Sequence, residues 1–155
     1  MKNLNIHVEA IAHTEQVPFA LLQLADPSRK QIESYLETGT CYKAILENEV
    51  IGAMVICRLN SSQAEIKNIA VKASKQGKGY GKALLRIAKD ICRNAGYEVL
   101  AIGTGNSSIG QLALYQKEGF ELERIEKNFF LKHYDEPIFE NGIQCKHMLI
   151  LQAKL

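Results

Sequence analysis

Residues 76–82 read Gln-Gly-Lys-Gly-Tyr-Gly-Lys, with a glycine at every second position. Such a segment is a poor interior for a helix or a strand, so the flanking elements must end at it. Upstream, residues 63–71 are strand-like. Downstream, a helix is predicted over 80–94, with Leu84, Ile87, Ala88 and Ile91 on one face. Val99-Leu100-Ala101-Ile102 then reads as a strand buried on both faces. If the two strands share a sheet, this strand–helix–strand unit is a parallel, right-handed crossover. At its turn the glycines remove Cβ atoms where backbone N–H groups would approach a ligand. The helix start adds its positive dipole end and unpaired N–H groups, and Lys78 and Lys82 add full charges. The segment is a cradle for a diphosphate; the alternative is a flexible Gly/Lys loop.

Two common phosphate ligands are excluded by spacing. A nucleoside-triphosphate loop needs a glycine where Gln76 stands and a hydroxyl where Ala83 stands. A dinucleotide fingerprint needs glycine at Lys82 or Leu84, and a start at Gly103 needs it at Ser108. Charge singles out the same region. From Lys72 to Arg93, seven basic residues face the single Asp90, a local charge of +6, while the whole chain carries only +2. Lys82, Arg86, Lys89 and Arg93 form a helical stripe; Lys78, Lys82 and Lys75 belong to the cradle, and Arg86, Lys89 and Arg93 are expected in solvent. No aromatic residue interleaves with the stripe, which disfavours nucleic acid as a partner.

The strand at 63–71 has a phase slip. Ala64 and Ile66 share one parity, Ile69 and Val71 the other. One extra residue near Lys67-Asn68, a β-bulge, would return them to one face and leave backbone groups free for a ligand. A strand buried on both faces needs no bulge. Elsewhere, Leu4, Ile6, Val8 and Ala10 alternate as a first strand, and residues 14–25 look helical until Asp26-Pro27. Ser28 and Gln31 form a capping box for a helix ending near Thr38, with Gly39 as its C-cap. Residues 41–47 and 50–59 form a hairpin about Asn48. A short helix spans about 108–118, capped by Gly119. Strands follow from Phe120 and near 145–152. With 155 residues, one domain covering 1–155 is expected, an α/β (α+β) mixed sheet of six to seven strands with about four helices.

The loop at Gln76-Gly77-Lys78-Gly79-Tyr80-Gly81 resembles the Q/R-x-x-G-x-G/A motif of the GNAT superfamily, the acetyl-CoA-dependent N-acetyltransferases. Residues 64–71 are similar to that family's bulged fourth strand, and Leu114-Tyr115-Gln116-Lys117-Glu118-Gly119-Phe120 to its L-Y-x-K-x-G-F segment. Residues 103–145 are similar to a bacterial subgroup of the YvbK type. The resemblance implies acetyl-CoA as cosubstrate, held by Gln76, Gly77, Lys78, Gly79, Tyr80, Gly81 and Lys82 at its pyrophosphate and by the backbone of Ile69, Ala70 and Val71 along the pantetheine. The N–H near Ile69 would steady an oxyanion. Tyr115 matches the tyrosine that protonates the departing thiolate; a lone tyrosine there could equally be core. Glu65 matches the position of a general base in some members; it could also be a strand residue paired with a lysine. An asparagine is common seven residues before the tyrosine, where this chain has Ser108, with Asn106 two residues earlier; either could bond the pantetheine.

The reaction so implied moves an acetyl group to a primary amine of a small molecule or peptide, by direct attack in a ternary complex. A non-catalytic acyl-CoA sensor of the same fold is the alternative. Tyr134, Asp135 and Glu136, among Phe129, Phe130, His133 and Phe139, would suit a cationic acceptor; a solvated acidic loop or a dimer contact is the competing reading. His7, His13 and His147 are expected to be structural or surface residues. No His/Cys/Asp spacing suggests a metal. Cys41, Cys57, Cys92 and Cys145 are scattered and expected as free thiols. No apolar run is long enough to cross a membrane and no leader is evident, so a cytoplasmic location is expected, with a homodimer left open.

Overall fold

The structure is a computed structural model describing residues 5–12 and 16–155. A seven-stranded mixed sheet runs β1-β2-β3-β4-β5-β9-β6. Its strands are β1 His7–Ala10, β2 Thr40–Leu46, β3 Glu49–Arg58, β4 Gln63–Val71, β5 Val99–Gly105, β6 Glu121–Glu126 and β9 Met148–Lys154. A separate hairpin joins β7 Ile138–Glu140 to β8 Ile143–Cys145. Helices α1 Phe19–Ala25 and α2 Arg29–Leu36 lie on one face; α3 Tyr80–Asn94 and α4 Ile109–Lys117 lie on the other. A fifth helix, α5 Phe129–His133, precedes the hairpin.

The two faces follow strand periodicity. On β3, Ala53, Val55 and Cys57 pack with Leu22 of α1 and Ile32 of α2. Met54 and Ile56 point the other way, into a core with Leu85, Ala88 and Cys92 of α3. The crossover through α3 is parallel as predicted, with Gln63–Ile66 beside Val99–Ile102.

The bulge falls where the phase slip puts it. Val55 stands opposite Asn68 and Ile56 opposite Ile66, so Lys67 is the extra residue. Ala64 and Ile66 therefore share the α3 side with Ile69 and Val71. Beyond Lys67, β4 leaves β5: their pairing stops at Ile66, while β5 continues to Gly105 against β9. The sheet opens into a wedge between the end of β4 and the end of β5.

Several boundaries differ from expectation. The first helix begins at Phe19, because Pro18 disfavours helical geometry in the residue before it; Leu4, His13 and residues 14–15 lie outside the described residues. Ser28 caps α2 by accepting the Gln31 N–H (3.2 Å), but its own N–H goes to Asp26 and not to Gln31. Gly39 is not a left-handed cap. It is required because a Cβ there would lie 2.6 Å from Cys57 Sγ. The β2–β3 turn holds Glu47 and Asn48 at φ 49° and 67°, the primed geometry that matches strand twist. Helix α5 and the β7–β8 hairpin were not expected; Asn141-Gly142 turns the hairpin at φ 55° and 72°.

Candidate active site

The glycine turn begins on the open edge of β4. Gln76 donates its side-chain amide to the Val71 carbonyl (2.9 Å) and pins the start of the loop. Gly77 and Gly79 take φ of 73° and 91°, the left-handed region that favours glycine. Gly79 is the N-cap of α3, and the first amide to find a helical acceptor is that of Ala83, on the Gly79 carbonyl. The amides just before it belong to the unsatisfied first turn of a 15-residue helix. A Cβ on Gly77 would meet nothing, so the space above the loop is open.

The cationic window divides around this loop. Lys72 pairs with Glu49, Arg86 with Glu118 (3.3 Å) and Arg93 with Asp90 (2.8 Å). Lys89 reaches the Glu118 carbonyl and lies 4.9 Å from the Phe120 ring centroid; its burial pulls its pKa down. Arg86 and Lys89 therefore tie α3 to the end of α4; Arg86 stays exposed as expected, and the half-buried Lys89 is a correction. Among the described residues, Lys78 and Lys82 make no ion pair, and both flank the open amides.

The wedge holds a cavity of about 360 Å³. Ile66, Lys67, Asn68 and Ile69 line one side, and Ile102, Gly103, Thr104 and Gly105 the other. Lys72 donates to the Ile51 carbonyl (2.7 Å), so alternation along the antiparallel ladder turns the backbone groups of Ala70 toward β3. Those of Ile69 and Val71 face the wedge. Ile69 is thus placed as expected, the Val71 carbonyl is already taken by Gln76, and Ala70 offers the wedge no backbone group.

Tyr115 reaches the cavity from α4. It is buried, its ring 6.2 Å from that of Phe120, and its hydroxyl has no hydrogen-bond partner among the described residues. Burial pushes its phenol well above the usual tyrosine range, so it remains a proton donor at neutral pH. Glu65 is a correction. It does not line the cavity, and its buried carboxylate lies 2.6 Å from Lys67 Nζ. Lys67, two residues on along β4, covers it, giving the lysine-paired strand residue. Asn106 is a second correction. Its amide donates to the Gln144 carbonyl (3.1 Å) and accepts the N–H groups of Lys146 (2.8 Å) and His147 (2.9 Å). It clamps the segment after β8 with three of its four side-chain hydrogen bonds and does not line the cavity. Ser108 lines the cavity, with its hydroxyl donating to Glu140 at 3.1 Å.

The far wall is built from distant parts of the chain. Tyr134 lines the cavity, whereas Asp135 and Glu136 line a smaller neighbouring pocket. The Tyr134 hydroxyl donates to Asp26 (2.9 Å), and burial followed by that carboxylate holds its pKa up. Tyr35 donates to the other Asp26 oxygen (3.2 Å) and accepts from Asn68 Nδ2 (2.9 Å). Asp26 and Asn68 were missed from the sequence. Asp26 read only as a helix stop, and the bulge that turns Asn68 into the wall was the available signal. Phe130 packs on Tyr134 (5.2 Å), and His147 accepts the Asn128 N–H at the start of α5 (2.9 Å).

Residues 8–120 match the Acetyltransferase (GNAT) family model, and the chain belongs to that family. Over its full length and all of its relative's, it is 46% identical to the N-acetyltransferase YvbK of Bacillus subtilis. A GNAT family acetyltransferase from Elizabethkingia anophelis, solved with acetyl-CoA bound, superposes with a TM-score of 0.96 at 46% identity, covering 97% of this chain and 99% of that one. A Bacillus subtilis acetyltransferase in complex with CoA gives 0.90 at 47% identity, with the same coverage. The protein is a GNAT acetyltransferase. Among the described residues, no helix is long and apolar enough to cross a membrane, and no group of His, Cys, Asp and Glu is arranged to hold a metal.

Proposed function

We propose that this chain moves an acetyl group from acetyl-CoA to a primary amine of a small molecule or peptide by direct attack in a ternary complex. The observation that carries the reading is the buried, unpartnered Tyr115 hydroxyl facing a cavity whose other wall carries carboxylates. The donor site fits its cosubstrate. Loop 76–82 offers open amides, two unpaired lysines and no Cβ at its glycines, which suits a pyrophosphate. Ile69 turns its backbone groups into the wedge, which suits the amide-bearing pantetheine arm, and Ser108 is the remaining side chain for that arm. Acetyl-CoA supplies an activated thioester.

The residues of the chain then do three things. Ile69 N–H faces the wedge, where it can steady developing negative charge. Tyr115, kept neutral by burial, holds a proton for the leaving thiolate. The carboxylates of the far wall favour a positively charged visitor. Glu65 is not assigned the base, since Lys67 neutralises it outside the cavity; the acceptor loses its proton to solvent or through water. Thiol release from acetyl-CoA across a panel of primary amines tests the reading. Release with at least one amine, lost in Tyr115→Phe, is expected; no release above background from any of them would contradict it.

A further inference from the structure

Three side chains in or beside the cavity carry full charge: Asp26, Lys67 and Glu140. Lys67 is neutralised by Glu65 at 2.6 Å. The two carboxylates have no such counterpart. Asp26, only 9% exposed, is held by the Ser28 N–H, Tyr35 O–H and Tyr134 O–H, all neutral donors. Glu140 accepts only the neutral Ser108 hydroxyl. No cation of the chain pairs with either among the described residues. Glu140 is exposed, but a carboxylate as buried as Asp26 with no cation beside it is unfavourable for folding, so its retention asks for a reason outside the fold.

A second observation lies in the same wall. Asn68 is 4% exposed and directs its Nδ2 to the Leu22 carbonyl and to Tyr35, both at 2.9 Å. Its Oδ1 is buried with no partner among the described residues. The Tyr134 hydroxyl keeps its own lone pairs after donating to Asp26. The open polar capacity of Asp26, Asn68 and Tyr134 is therefore all acceptor. An alkylammonium, with three N–H donors and one positive charge, is the complementary group. The nitrogen to be acetylated must be neutral when it attacks, so an ammonium that stays bound on this wall through the reaction is a second one.

We propose that the acceptor carries a second amino group: it is a small aliphatic diamine whose non-reacting ammonium docks on Asp26 and Asn68 Oδ1, beside Tyr134. This rests on the transferase reading above and names its substrate class. The second ammonium supplies the counter-charge that the fold lacks, and the cavity of about 360 Å³, shared with the end of the donor, restricts the acceptor to a small molecule.

The test uses putrescine, butane with an amine at each end, against butylamine and γ-aminobutyrate, which match its carbon chain with one amine and with an amine plus a carboxylate. In thiol release, kcat/KM for putrescine is expected to exceed that for butylamine about tenfold or more, the size of a hydrogen-bonded charge contact. Asp26→Asn is expected to reduce the ratio to near one, while Asp90→Asn on the outer side of α3 retains it. Calorimetric titration of putrescine into the CoA-loaded protein provides the second readout, with affinity falling about tenfold in Asp26→Asn. Should that variant fail to fold, Tyr134→Phe keeps the ring and is expected to reduce the same ratio about threefold. Equal use of putrescine and butylamine, preference for γ-aminobutyrate, or a ratio indifferent to Asp26 would overturn the proposal and leave the transferase reading standing. Absence of release from every amine would defeat that reading, and calorimetry would still decide whether the diamine docks.

Discussion

The donor and acceptor walls of the site are made in opposite ways. The donor wall is seven consecutive residues whose useful groups are backbone amides at a helix start. The acceptor wall joins side chains far apart in the chain, with Tyr134 bonding Asp26 across 108 positions. Backbone recognition needs only a conformation, so it is secured by glycines and indifferent to most neighbouring side chains. Side-chain recognition depends on the identity of each group and on the packing that aims it. The first suits a ligand common to a whole family, the second a ligand particular to one member.

That contrast can be broken by substitutions that should move one wall only. The largest effect falls where the walls meet. Tyr115→Phe is expected to lower kcat about 100-fold while CoA affinity by calorimetry stays within about twofold, because a general acid acts on the chemistry and not on the grip. In the wild type, activity should rise with pH as the acceptor amine loses its proton. Burial raises the Tyr115 pKa above its ordinary value, so it keeps its proton through this range, and no falling limb is expected below about pH 10. A limb descending from pH 8 would remove Tyr115 from the role of acid.

Next in size, Gly79→Ala forces a Cβ into a φ of 91°. It is expected to raise KM for acetyl-CoA about tenfold and to lower stability by about 1 kcal/mol, with the acceptor KM unmoved. Asn106→Ala should do the reverse. Its three bonds hold the segment that follows the Glu140 hairpin, so acceptor KM should rise several-fold and acetyl-CoA KM stay within about twofold, with a stability loss of about 2 kcal/mol. The smallest effect belongs to the exposed end of the cationic stripe. Arg93→Gln loses one surface contact to Asp90 and should shift thermal stability by less than about 1 kcal/mol, with both KM values unchanged.

The same division explains what could be read from the residues alone. The bounds of α3, the bulge at Lys67 and the glycine cradle all depend on short-range rules: helical periodicity, strand parity and the room a missing Cβ leaves. Each was legible within a dozen residues. Asp26 was legible only as the stop before Pro27, because its role exists through Tyr35 and Tyr134. Asn106 looked available because a clamp onto residues 144–147 leaves no trace in its neighbours. Asn141-Gly142 carried a hairpin signal, but flanks of three residues each are too short to show alternation. Glu65 failed for a subtler reason. Strand parity puts Glu65 and Lys67 on one face, and parity alone does not decide whether the carboxylate serves an acceptor or its neighbouring lysine.

The most direct test of the donor and acid assignments is a crystal structure of this protein with CoA. The account predicts the pyrophosphate on the amides of residues 77–82, with Lys78 and Lys82 beside it, and the thiol facing the Tyr115 hydroxyl. A pyrophosphate held elsewhere, or a thiol on the far side of β5 from Tyr115, would contradict it.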